Sequence, residues 1–133
     1  MAIFVLMRQT LSHTEKLKSK KLIEQLFQEG RSITVYPIKL IYLKLDHQGK
    51  KPIQSGFTVA KRKMNRAVDR NATKRLLREC YRKHKHLLHD QLEEKYILMF
   101  LYLDENKQKY VVLEGKMIAL LQKFAFKARK GDE

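Results

Sequence analysis

The sequence predicts one α+β domain: a sandwich with a small sheet of about four strands and three helices packed on it. Three observations predict it. The spacing of apolar residues switches along the chain, from i, i+3, i+4 near the N-terminus to runs of strand formers, then back to helical spacing on either side of one wholly apolar stretch. The 133 residues fit a single domain able to bury roughly two-thirds of its unfolded surface. There are no internal repeats and no low-complexity linker.

Taken in order, Ser19 caps a helix from Lys20 to Glu29 whose apolar positions are Leu22, Ile23, Leu26 and Phe27, and Gly30 ends it. Ile33 to Tyr36 is a short strand broken by Pro37. Ile38 to Leu45 is rich in strand formers, and a polar turn from Asp46 to Pro52 leads to a returning strand from Ile53 to Ala60, which together read as a hairpin. A basic helix follows from about Arg66 to His89, with a core stripe of Ala72, Leu76, Leu77, Cys80, Leu87 and Leu88. After a polar connection from Asp90 to Lys95, Tyr96 to Leu103 is apolar without alternation, the pattern of a strand covered on both faces. Asp104 to Lys107 is a loop. Val112 to Lys127 is a last amphipathic helix, with Leu113, Met117, Leu120, Leu121 and Phe124 on one side.

Composition narrows the class. At 44% hydrophobic and 32% charged residues the chain is neither disordered nor membranous. The apolar run Met1 to Met7 is too short to span a bilayer and lacks the basic flank and cleavage site of a signal peptide. The expected compartment is therefore the cytoplasm, with residues 1–16 a poorly ordered lead-in and 17–128 the domain. Cys80 is the only cysteine, and four residues after Leu76 it reads as core rather than nucleophile.

Charge is the most informative property. Of 29 lysines and arginines, eleven lie between Lys61 and Lys85 against only Asp69 and Glu79, so nine of the fifteen net positive charges sit in 25 residues. Arg66, Arg70, Lys74, Arg78 and Arg82 recur every four residues, which stacks like charges on a helix and destabilises it by a few tenths of a kcal/mol per pair. Arg75 and Glu79 form a clear opposing pair at that spacing within the stretch. A polyanion would neutralise such a row, and nucleic acid is the indicated partner.

No reaction centre accompanies it. Glu93, Glu94, Asp104 and Glu105 lie in connections, whereas metal-assisted hydrolysis needs carboxylates converging on ions. His84, His86 and His89 are splayed around a helix and extend the basic surface rather than bind zinc. The serines lack a nucleophile-elbow context and there is no glycine-rich phosphate loop.

The stretch Gly56-Phe57-Thr58-Val59, the basic turn Lys61-Arg62-Lys63 and the run Ala67 to Glu79 (AVDRNATKRLLRE) resemble the signature of the bacterial ribonuclease P protein subunit. The order of elements resembles that family too, over roughly Leu17 to Phe126. Two departures stand out: Ala72 occupies the third place of the family's Arg-Asn-Arg triplet, and Lys63 to Arg66 replaces a shorter turn that often holds glycine.

The resemblance implies a non-catalytic protein subunit of an endoribonuclease, a hydrolase that removes the 5′ leader of precursor tRNA. In that family a large RNA is the catalyst and uses magnesium, so no tightly bound cofactor or metal is expected in the protein. The implied partners are that RNA and precursor tRNA, with no membrane and no obligatory protein partner. A left-handed βαβ crossover through the basic helix is implied as well. Arg66, Arg70, Asn71, Lys74, Arg75, Arg78 and Arg82 would face the catalytic RNA. A cleft between the first helix and the sheet would take the single-stranded leader, with Phe27, Tyr42, Phe57 and Tyr102 as stacking positions and Lys61 and Arg62 at the rim. Tyr42, with its polar tip, is the preferred platform. The alternative reading is a ribosomal or other structural RNA-binding protein.

Overall fold

The strand richest in apolar residues decides the architecture. A computed structural model describes residues 16–45, 53–89 and 94–129, and in it Tyr96–Tyr102 lies inside a four-stranded sheet, buried at six of its seven positions. The elements are α1 (Lys20–Glu29), β1 (Arg31–Val35), β2 (Ile38–Lys44), β3 (Ile53–Val59), α2 (Ala67–His84), the short α3 (His86–His89), β4 (Tyr96–Tyr102) and α4 (Tyr110–Arg129). The strand order is β1-β2-β4-β3.

That order corrects the expected hairpin between β2 and β3. β4 is inserted between them, antiparallel to β2 (Leu40 opposite Phe100) and parallel to β3 (Phe57 opposite Phe100). The reason is burial: a strand apolar on both faces belongs in the middle of a sheet, while β3 carries Gln54, Gly56 and Thr58 and tolerates an edge. The hairpin that does form joins β1 to β2 around the cis Tyr36–Pro37 peptide, with Ile33 opposite Leu40. The polar turn at 46–52 lies outside the described residues, as do the apolar N-terminal run and most of the 90–95 connection.

The sheet has two unequal faces. Ile33, Ile38, Leu40, Tyr42, Leu98, Phe100 and Tyr102 point to the larger core, closed by α2, α3 and α4 through Leu77, Tyr81, Leu88, Leu113, Leu120 and Phe124. Ile97 and Met99 point the other way and meet Leu17 and Leu26, with Leu22, Ile23, Ile41, Leu43 and Leu101 packed around them. α1 covers this smaller face. Its bounds match the expectation, with the Ser19 hydroxyl accepting from the Leu22 amide at 3.2 Å. Gly30 is needed for space: a Cβ there would lie 2.5 Å from the Leu26 carbonyl oxygen and 2.8 Å from Ile41. The chain can thus turn from α1 straight into β1 while α1 stays against β2.

The basic helix is shorter than the sequence suggested, because the chain breaks at Lys85 before α3. Its buried residues are Thr73, Leu77, Cys80 and Tyr81, while Ala72 and Leu76 are only half-buried. α4 starts two residues earlier and ends two later than expected, and all five of its expected core residues are buried. Among the described residues no helix is long and apolar enough to cross a membrane.

One core position is polar without compensation. Ser55 is 2% exposed between Ile53 and Phe57, and among the described residues its hydroxyl has no hydrogen-bond partner. Removing a buried, unsatisfied hydroxyl recovers its desolvation cost, about 1 kcal/mol or more. Ser55→Ala should therefore stabilise the domain by roughly that amount in urea denaturation, and a loss of stability would show that the hydroxyl is satisfied.

Candidate nucleic-acid interface

Helical geometry sorts the arginine row of α2 into different tasks. Each four-residue step overshoots a full turn by about 40°, so a row built on that spacing winds around the helix rather than staying on one face. Arg70 lies on the flank nearest the core. Its guanidinium donates to the backbone carbonyls of Met64 and Asn65, both at 2.8 Å. Met64 is buried, and the Thr73 hydroxyl reaches its sulfur at 3.5 Å. The amides of Lys63 and Met64 both donate to the Ala60 carbonyl. These contacts latch the longer turn between β3 and α2 and hold Lys61, Arg62 and Lys63 exposed beside the start of the helix.

At the far end of the row Arg82 grips Glu79 with Nε and Nη2, the Nε bond measuring 3.0 Å. The expected Arg75–Glu79 pair does not form; the planar fork of Arg82 offers the carboxylate two bonds at once. Lys107 holds Asp69 at 2.9 Å, tying the loop before α4 to the first turn of α2. Hydrogen bonds from Lys107 and Arg82 keep the Asp69 and Glu79 carboxyls below the usual carboxylate range, so both acids stay ionised and engaged with cations. Asn71, Arg75 and Arg78 are exposed, Lys74 is half-buried, and Arg66 is 76% exposed at the mouth of the helix. Among the described residues Arg75 and Arg78 make no ion pair; Arg78 lies 5.8 Å from the centre of the Phe57 ring. The result is an outward cationic face with its two acids already neutralised.

Of the histidines, His84 meets Glu114 at 2.9 Å and pins the end of α2 to α4, an interaction that lowers the Glu114 pKa. The His86 ring is 6.3 Å from that of His84. Among the described residues no group of three histidine, cysteine or acidic side chains could hold a metal ion.

The expected aromatic platforms divide between the two faces of the sheet, which corrects the cleft. Phe27, on α1, is 49% exposed. Tyr42 is 2% exposed and packs on Phe124, ring centres 4.8 Å apart, in the larger core. Phe57 stacks on Phe100 at 5.4 Å beneath α2, and Tyr102 is buried with its hydroxyl donating to the Asn106 carbonyl at 2.6 Å. The three lie on the side of the sheet opposite α1 because successive strand residues alternate faces. The residues that share the face of Phe27 are their neighbours: Lys39, Ile41 and Leu43 on β2, Met99 and Leu101 on β4, Gly56 and Thr58 on β3. One row across this face runs Thr34, Lys39, Leu101, Thr58, and the next runs Ser32, Ile41, Met99, Gly56. Lys39 shares this face and was not singled out in the sequence, because taking Tyr42 as cleft-facing puts Lys39, three residues earlier, on the opposite side.

Comparison with known proteins follows the same line. The family model described as Ribonuclease P matches residues 11–125. The "Ribonuclease P protein component" of Porphyromonas gingivalis strain W83 is 36% identical over 111 residues, covering 80% of this chain and 80% of that protein. The protein of the same name from Chlorobaculum tepidum is 33% identical over 102 residues, covering 69% and 66%. Among solved structures, the RNase P protein of Thermotoga maritima superposes with a TM-score of 0.66 at 18% identity, covering 82% of this chain and 96% of that one. The Staphylococcus aureus RNase P protein gives 0.65 at 17% identity, covering 83% and 94%. These two likenesses speak to the fold.

Proposed function

The chain belongs to the ribonuclease P protein family, and on that premise we propose how its surfaces divide the work of the protein subunit in precursor-tRNA maturation. The outward face of α2 binds the catalytic RNA: Arg66, Asn71, Lys74, Arg75 and Arg78 contact phosphates, with Arg82 at the edge. Arg70 acts on the RNA indirectly by latching the turn that carries Lys61, Arg62 and Lys63. The observation that carries this reading is the cationic face itself, whose own acids are engaged by Lys107 and Arg82 and so leave the charge of Arg75 and Arg78 to an external polyanion.

The cleft between α1 and the smaller face of the sheet holds the single-stranded leader. Phe27 supplies a stacking surface, Ile41 and Leu101 an apolar floor, and Lys39, Lys61 and Arg62 the phosphate contacts. The protein supplies position and charge. Positive charge of this kind binds substrate about as well as transition state and accelerates little by itself. The chemistry belongs to the RNA subunit and its magnesium, with no cofactor held by the protein, no further protein partner required, and the cytoplasm as the working compartment.

The test is reconstitution with a bacterial ribonuclease P RNA and precursor tRNA. RNA-free protein should leave the precursor intact. Adding it to the RNA should tighten precursor binding, lower the magnesium needed and yield a single cut at the mature 5′ end. Site-specific cleavage by the RNA-free protein would overturn the assignment, as would copurification with a ribosomal subunit in place of one large RNA.

A further inference from the structure

The leader cleft does not end at β2. β1, about 4.8 Å beyond it, continues both rows of the cleft floor, with Thr34 beside Lys39 and Ser32 beside Ile41. β1 is the edge of the sheet, and past it lies a groove of about 690 Å³ bounded by residues 32–34 and by Lys123, Phe126 and Lys127 of α4. Phe126 is a large aromatic ring left 52% exposed on the helix, flanked by lysines one residue after it and three before. Among the described residues no acidic side chain lines the groove. Another cavity, about 330 Å³ at the end of β2, contains both Glu29 and Glu94 among its cations.

We propose that this groove is a second single-strand RNA site that takes the leader nucleotides beyond those held in the cleft. The proposal rests on the cleft reading above and extends it around the sheet edge. Its chemistry is that of a single-strand binding surface: an exposed ring offers a face on which any base can stack, and the two lysines meet the flanking phosphates. Order along the track follows from position. Lys61 and Arg62 stand at the β3 side, beside the helix that faces the catalytic RNA, and β1 is the opposite edge, so the groove receives the part of the leader farther from the cut. Charge selects the occupant. A second copy of this chain would bring another fifteen net positive charges to a groove whose described charged lining is Lys123 and Lys127, whereas a polyanion is attracted to it.

The experiment measures affinity of the reconstituted holoenzyme for precursor tRNAs with a series of leader lengths. Wild-type affinity should rise as the leader grows past the cleft. Phe126→Ala should abolish that added gain, a loss of roughly fivefold to a hundredfold for long leaders, and leave short-leader precursors unchanged; Phe126→Trp should retain it. Phe126 is exposed, and thermal unfolding of the variants checks that the fold is kept. No gain with length in the wild type, or a Phe126→Ala effect that is absent or equal at every length, overturns the groove. Phe27→Ala separates the two readings, because it should weaken short and long leaders alike. If Phe27→Ala is silent while Phe126→Ala removes the length-dependent gain, the cleft assignment fails and the groove stands.

Discussion

Replacing Arg75 and Arg78 together by glutamate should nearly abolish binding to the catalytic RNA at physiological salt while leaving the protein folded. Both side chains are exposed, and among the described residues neither forms an ion pair, so the folded chain loses little beyond the approach of Arg78 to Phe57. A charge-assisted hydrogen bond contributes about 1.5–3 kcal/mol, which makes each lost phosphate contact worth roughly tenfold to a hundredfold in affinity. Reversal adds repulsion to that loss. The slope of log affinity against log salt should also fall by about 0.7–0.9 for each contact removed. Arg70 is unsuitable for this test: its replacement would release the Met64 and Asn65 carbonyls and disturb the turn as well. Wild-type affinity and an unchanged salt slope in the double variant would remove α2 from the RNA interface.

Tyr42→Ala and Phe27→Ala should have opposite signatures. Tyr42 is 2% exposed against Phe124, and truncating a buried aromatic ring costs about 3–5 kcal/mol through lost burial and the cavity left behind. Its effect belongs in denaturation curves. Phe27 is 49% exposed, so Phe27→Ala should barely change stability. It should instead reduce the holoenzyme's preference for precursor over mature tRNA by about 1–3 kcal/mol, the value of one base stacked on an aromatic ring. A Tyr42→Ala protein of native stability but impaired precursor selection would return the leader to the opposite face of the sheet.

Local physics made α1, its Ser19 cap, the apolar β4 and the core stripe of α4 legible, because capping, period and burial are written within a few neighbouring residues. The two main misreadings concern relations between elements. Nothing within 38–60 says that β4, some forty residues later, will insert between β2 and β3; that follows only when the strand most costly to expose is given the centre. Within the candidate site, the placement of two side chains departed from expectation, one by parity and one by rotation. Tyr42 carries an attractive side chain but sits an odd number of residues from Lys39, hence on the other face. Arg70 matches the row by spacing, yet the 40° drift of each step brings it to the backbone of its own turn rather than to solvent. The cationic stretch itself was plain from charge counting, since eleven bases against two acids need no tertiary information.

The sole cysteine of the chain offers a practical opening. Cys80 is fully enclosed between α2 and the core, and burial, reinforced by the charges of Glu114 and Glu79, pushes its thiol up to about 12. Only the thiolate reacts with alkylating reagents, and at neutral pH it is about one part in a hundred thousand of this group. The folded protein should therefore resist maleimides, which a thiol-labelling time course checks. A cysteine introduced at Asn71, Lys39 or Phe126 would be the one reactive handle, and a single dye or photocrosslinker attached there would report which RNA passes each surface without first disturbing the core.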